Sequence, residues 1–403
     1  MTARCAVLLA AVSLSAFAGS RPRPGGTLQL VLVSPSMTVD PSSADAPIDA
    51  FRLSLTHQPI CRLVDMTRSP GVLKLTVPAS VDVKFVTEAL TRGAPLLTNV
   101  GAPNVNGREV ELPIRGARTD LERTLCHPLF SLPVGPFKVK GTRLEAFDEQ
   151  PMGRPYLDGL ALQATDARTA ERLFAQRRAQ LVVGASTPTD APQLFVTALA
   201  LGPGLANVRT AIESSIDRAD LARFFVPAPS AALPSLQPGA TPTTPTPARP
   251  SPVTPAQELT LSFDQTAEHE RGIAQRLQVK LQPFGYRVAL KPVPRAEVKA
   301  RAPGANELVL RSFALPPSPT GALLMWLSVA GQQARAAAVL QSISSAPDAD
   351  ARARDLSLQL ANELNVIPLV TRGLGVSATR DVQHLTRDAM GLPRVDDAFF
   401  SAE

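Results

Sequence analysis

The run Thr27-Leu28-Gln29-Leu30-Val31-Leu32-Val33 is rich in β-favouring apolar residues and follows Gly25-Gly26, a pattern that predicts a buried strand behind a flexible start. Ser34-Pro35-Ser36 and Val39-Asp40-Pro41 break that strand, and apolar positions from Ala50 to Val64 then recur at helical spacing. Val72 to Val77 alternates as a strand, Val81 to Arg92 reads as a helix, and Arg108 to Leu112 reads as another strand. Asn104-Val105-Asn106-Gly107 supplies residues that tolerate the positive φ of a tight turn. Ala170, Leu173, Phe174 and Leu181 share one face of a helix expected over Thr165 to Leu181, with Arg168, Arg172, Arg177 and Arg178 largely off it. Val208, Ile212, Ile216 and Ala219 repeat the stripe, and both stripes read as core-facing.

The second half alternates between the two periods. Glu258 to Phe263 is a strand, Ile273, Leu277 and Leu281 mark a helix, Phe284-Gly285 stops it, and Tyr286 to Val293 is the next strand. A short helix over Arg295 to Ala300, a strand at Leu308 to Leu310 and a helix over Asp355 to Leu364 leading into Val366 to Val370 follow. The β-α-β-α-β order predicts an α/β lobe with a partly parallel sheet. Between the halves, Pro227 to Pro255 is dominated by Pro, Thr, Ala and Ser, which cannot bury enough apolar surface to offset the entropy of ordering. It reads as an extended, semi-rigid linker.

A chain of 403 residues with 44% hydrophobic and 19% charged composition fills two or three packed units. At its start, Arg4 precedes an apolar run from Cys5 to Ala18 that is too short to span a bilayer and ends in Ala16-Phe17-Ala18. A secretory signal over residues 1–18 is expected, and with no Cys at the cleavage point the product is expected to be periplasmic or secreted and not a lipoprotein. Cys61 and Cys126 remain, and an oxidising compartment suits a disulfide between them. The alternative groups His57, Cys61, Cys126 and His127 as a zinc-type site.

The formal charge is +6, but its 41 basic residues are dispersed among 35 acidic ones and aromatics are few, so no nucleic-acid partner is expected. There is no Gly-x-Ser-x-Gly elbow, and His57, His127, His269 and His384 form no nucleophile-base pattern. Neither a Gly-x-x-x-x-Gly-Lys-Ser/Thr loop nor a Gly-x-Gly-x-x-Gly turn is present. Asp148-Glu149 and Asp396-Asp397 read as surface or turn positions. A non-enzyme without cofactor, metal or catalytic residues is expected.

Several stretches in order along the chain are similar to the family 5 extracellular solute-binding proteins, the dipeptide, oligopeptide and nickel receptors of ABC importers. They are Gly25 to Leu28 with Val39-Asp40-Pro41, Leu121 to Phe130 with Val134 to Lys138, Gly153-Arg154-Pro155-Tyr156-Leu157-Asp158, and Val208 to Arg218. Leu259 to Val288 and Ile367-Pro368-Leu369 continue the series. The resemblance implies an α/β, two-lobed periplasmic-binding-protein fold of type II, with a hinge, an interlobe cleft and a reduced extra subdomain. It also implies a monomer that captures a small-molecule or peptide solute and delivers it to ABC permease subunits.

On that pattern residues 19–44 open lobe I, 45–130 form the inserted subdomain and 131–235 complete lobe I. The linker spans 236–256, lobe II 257–366, and 367–403 return to lobe I. Family topology places Ser34, Ser36, Phe137, Phe313 and Arg372 as ligand contacts. The family's usual acid that pairs with a peptide ammonium is missing from Ser312-Phe313-Ala314-Leu315-Pro316-Pro317-Ser318-Pro319, which weakens the expectation of a free amino terminus in the site.

Overall fold

The computed structural model describes residues 22–23, 25–34, 44–116, 118–141, 143–185, 187, 189–238 and 257–401. Ser36, the leader at 1–18 and nearly all of the 236–256 linker lie outside the described residues.

Thr27–Val33 is a strand, and its alternate leucines Leu28, Leu30 and Leu32 are wholly buried. It sits at the centre of a six-stranded sheet, parallel to Gly159–Thr165 on one side and to Leu181–Val183 on the other. Antiparallel strands Arg143–Ala146 and Phe137–Lys140 extend one edge, and Val376–Ala378 closes the opposite edge. This is the first lobe. Helix Pro47–Thr56 covers the sheet with Ala50, Phe51, Leu53 and Leu55, the first turns of the stripe read from Ala50 onward. His57 ends that helix in extended backbone, and the stripe continues as a two-residue strand and the short helix Ile60–Leu63.

The second sheet also has six strands, in the order Ser230–Ala232, Val366–Arg372, Phe195–Leu201, Glu307–Ala314, Gln257–Asp264, Tyr286–Val293. Gln257–Asp264 runs parallel to both Tyr286–Val293 and Glu307–Ala314, the partly parallel arrangement that the alternating periods predict. Helix Glu268–Leu281 packs Ile273, Leu277 and Leu281 onto the sheet, and Gly285, at φ 81°, makes the left-handed turn into Tyr286–Val293.

The inserted subdomain expected over 45–130 starts only after helix Pro47–Thr56, which packs in the first-lobe core, and strand pairing corrects two further boundaries. Phe195–Leu201 pairs along its whole length with Glu307–Ala314, so the segment from Phe195 to Leu236 belongs to the second lobe and not to lobe I as 131–235 implied. Val366–Arg372 is likewise a second-lobe strand, and the return to the first lobe starts at Gly373, not at 367. Both strands are buried on each face, so neither alternates.

The chain crosses between lobes at residues 184–194 and 373–375. These crossings touch: Gly184 N–H donates to Gly375 O at 2.9 Å. After the second crossing, Leu374, Val382, Met390, Leu392, Val395 and Ala398 pack into the first-lobe core, so the C-terminal segment lies on that lobe.

The inserted subdomain is a four-stranded antiparallel sheet, Asp65–Ser69, Val72–Thr76, Glu109–Pro113 and Asn104–Asn106, backed by helix Val83–Arg92. Its core is continuous with a helical face of the second lobe built on Pro319–Val329, Ala336–Ser344 and Ala349–Leu360. Ser318 Oγ caps the first of these helices at Gly321 N–H and also donates to Asp120, joining subdomain to second lobe.

Cys61 and Cys126 are bridged, with Cα atoms 5.1 Å apart. The sulfurs are therefore not thiolates, and the zinc-type reading of His57, Cys61, Cys126 and His127 has lost two ligands. Among the described residues no group of three or more His, Cys, Asp or Glu side chains is placed to hold a metal.

Candidate functional site

Because the crossings lie side by side, the lobes face each other over a cavity of about 990 Å³. Gly184, Gly373, Leu374 and Gly375 belong to the crossings and line its base. The first lobe contributes Ser34, where Thr27–Val33 ends, and Asp45, Asp49 and Arg52 at the start of helix Pro47–Thr56. The second lobe contributes the ends of its strands and the helices that follow them: Asp264, His269, Glu270, Arg295, Lys299, Arg311, Ser312, Phe313 and Arg372.

Charged groups meet across the gap. Arg295 lies 3.5 Å from Asp45 and 3.4 Å from Asp49, Lys299 pairs with Asp45, and Arg52 sits 3.3 Å from Asp49. Burial pushes the Asp49 carboxyl up from its ordinary range, against the pull of Arg295 and Arg52. Arg372 bonds both lobes: Nη2 donates to Asp45 O at 3.0 Å and Nη1 donates to His269 Nε2 at 2.9 Å. His269 can accept there because burial and the neighbouring Arg372 hold its pKa well below 6.5, leaving the imidazole neutral. The buried Arg372 guanidinium is itself lowered to about 10 by desolvation, with Glu270 and Asp45 opposing.

Glu270 completes this cluster. Ser312 Oγ donates to its Oε1 at 2.6 Å and Asp264 N–H to its Oε2 at 2.9 Å, while burial raises the carboxyl to about 6. Beside these polar groups runs an apolar wall of Val298, Phe313, Met325 and Val329, in which Phe313 meets Trp326 edge to face with centroids 5.0 Å apart. Convergent polar groups beside apolar surface in one concave space are the makings of a small-molecule site.

Of the residues that family topology places at the ligand, Ser34, Phe313 and Arg372 line the cavity. Phe137 does not: it is 1% exposed in the first-lobe core with Leu28, Phe51 and Leu160, so its expected contact role is withdrawn. Asp45, Asp49, His269, Glu270, Arg295 and Arg311 were not singled out by sequence reasoning. Arg311 alone left a trace, as a charge inside the apolar strand Leu308-Val309-Leu310-Arg311-Ser312-Phe313.

No family model matches the sequence, and no curated protein does. Solved structures do match. The oligopeptide-binding protein AppA of Bacillus subtilis, in complex with a nonapeptide, is 13% identical with a TM-score of 0.69, covering 95% of this chain and 100% of that one. The periplasmic binding protein DppA of Helicobacter pylori, in complex with the peptide STSA, gives 12% and 0.71 over 94% of this chain and 99% of that one. NikA of Brucella suis, in complex with Fe(III)-EDTA, gives 15% and 0.66 over 94% and 100%. The chain has the two-lobed periplasmic-binding-protein fold that the sequence resemblance implies.

Proposed function

We propose that this chain is the solute-binding receptor of an ABC import system, exported by the segment at 1–18 and working as a monomer in the periplasm or outside the cell. It captures a peptide or peptide-like solute between its lobes and delivers it to permease subunits in the membrane. The observation that carries this reading is the cavity lined from both lobes and floored by the crossings, because hinge motion there would open and close it around a ligand. Similarity in fold to binding proteins for peptides and metal chelates supports it. No step of the proposed function requires catalysis or a cofactor.

A second reading, a transport-independent sensor or scaffold, is favoured by the ion pairs across the cavity, which join the lobes directly and occupy several of its polar groups. Thermal-shift titration of the mature protein against di- and tripeptides, sugars, amino acids and metal chelates separates the two. A receptor gains a melting temperature that rises with ligand concentration, since binding to the folded state adds stability. Flat melting curves across the panel, with a protein partner bound in the absence of solute, would favour the scaffold.

A further inference from the structure

Five acidic and six basic side chains line the cavity among the described residues, and how they are paired matters more than the near balance. Asp45, Asp49 and Asp264 all face Arg295, with Arg52 and Lys299 adding to the first two. Glu270 has a donor on each oxygen and Arg372 beside it. Arg311 is different. Like Arg92 and Arg372 it forms no ion pair among the described residues, but Glu88 lies near Arg92 and Glu270 and Asp45 near Arg372, whereas burial alone lowers the Arg311 pKa, with no neighbouring charge opposing.

Its guanidinium is nevertheless fixed in place. Nη1 donates to Val329 O at 2.7 Å, at the end of helix Pro319–Val329, and Nη2 donates to Arg301 O, just beyond helix Arg295–Ala300. These carbonyls engage two of the five N–H groups of a guanidinium and offset part of its charge through the negative ends of two helices. Nε has no acceptor among the described residues. A partly desolvated cation without a counterion is costly, and leaving it at a ligand cavity makes sense where the counterion arrives with the ligand.

Apolar neighbours surround the same group. Phe313 shares its strand face at two residues' distance, Met325 and Val329 lie one turn apart on one helix, and Val298 is on the other. Building on the receptor reading above, we propose that the solute presents a carboxylate to Arg311 and an apolar body to Val298, Phe313, Met325 and Val329. Recognition then rests on the anionic end of a peptide-like molecule, and the amino end is dispensable. A planar guanidinium already oriented by two carbonyls suits a carboxylate better than a flexible ammonium would.

Calorimetric titration of the mature chain with three probes tests this: N-acetyl-Leu-Leu with a free carboxylate, its neutral C-terminal amide, and Leu-Leu amide with a free amine. The acid is expected to bind at least tenfold more tightly than either amide. Arg311→Gln brings the acid down to the affinity of the neutral amide, and Arg311→Lys retains part of the preference. Should Arg311→Gln fail to fold, the ranking in wild type and in Arg311→Lys decides. Equal binding of acid and neutral amide, or tighter binding of Leu-Leu amide, overturns the carboxylate assignment and leaves the receptor reading standing. Absence of binding by all three at millimolar concentration overturns the assignment and the peptide-like solute together.

Discussion

Glu270 shows how much of the site's chemistry comes from placing single residues in a desolvated corner. Its folded pKa of about 6 lies above the ordinary 4.5, so the native state binds the proton more tightly than the unfolded chain. The stability from that protonation is complete below 4.5 and disappears as pH rises through about 6. His269 has the opposite sign, since its depressed pKa means stability is lost as pH falls below 6.5. A comparison of Glu270→Gln with wild type cancels most of the histidine contribution. The variant is expected to gain on wild type between pH 4.5 and 6, by about 2 kcal/mol at the plateau above, because one pKa unit corresponds to about 1.4 kcal/mol. Melting curves at half-unit pH steps check this; a difference that does not change with pH would show that the carboxyl is not desolvated as described.

Residue positions were only partly legible. Ser34, Phe313 and Arg372 follow from where strands end relative to a cleft, which a sequence resemblance conveys. Phe137 also stands near a strand end, but its ring turns into the core with Phe51, a choice that no linear pattern encodes. The pairing of Asp45 with Arg295 and Lys299 joins positions about 250 residues apart in sequence, and dispersed charges carry no mark of such partners.

Elements were legible where one periodicity gave way to another. The strand, helix, glycine turn and strand from Gln257 to Val293 stand close to where the pattern puts them. The helix expected to reach Leu181 ends at Ala175, because Arg177 adopts φ 56° and Leu181 opens a strand. The stripe from Val208 to Ala219 is interrupted, and Asp217 caps a new helix by accepting from Asp220 N–H. Pro319–Val329 is apolar almost all round and offers no stripe to read, which is why this buried helix escapes a periodicity search.

The two crossings make a prediction at this scale. A Cβ on Gly375 would lie 2.0 Å from Ala185 O on the neighbouring crossing, a contact that only backbone movement relieves. Gly375→Ala is expected to destabilise the protein by about 1–3 kcal/mol, as overpacking does. Urea unfolding measures it, and an unchanged midpoint would mean that the crossings are not packed as closely as described.

For the whole molecule, two sheets, a subdomain bonded to the second lobe through Asp120 and Ser318, and ion pairs across the cavity hold the lobes in contact. A ligand must then supply interactions that the closed state favours over the open one, since only differential binding shifts such an equilibrium. Arg311 and the apolar wall belong to the second lobe and would anchor the solute there, and a preference for closure requires contacts with the first lobe as well. Native mass spectrometry of the gently purified mature protein tests solute capture between the lobes most directly. Capture predicts a population carrying one small molecule per chain, displaced by excess N-acetyl-Leu-Leu. Chains of bare protein mass alone, before and after exposure to that acid, would contradict it.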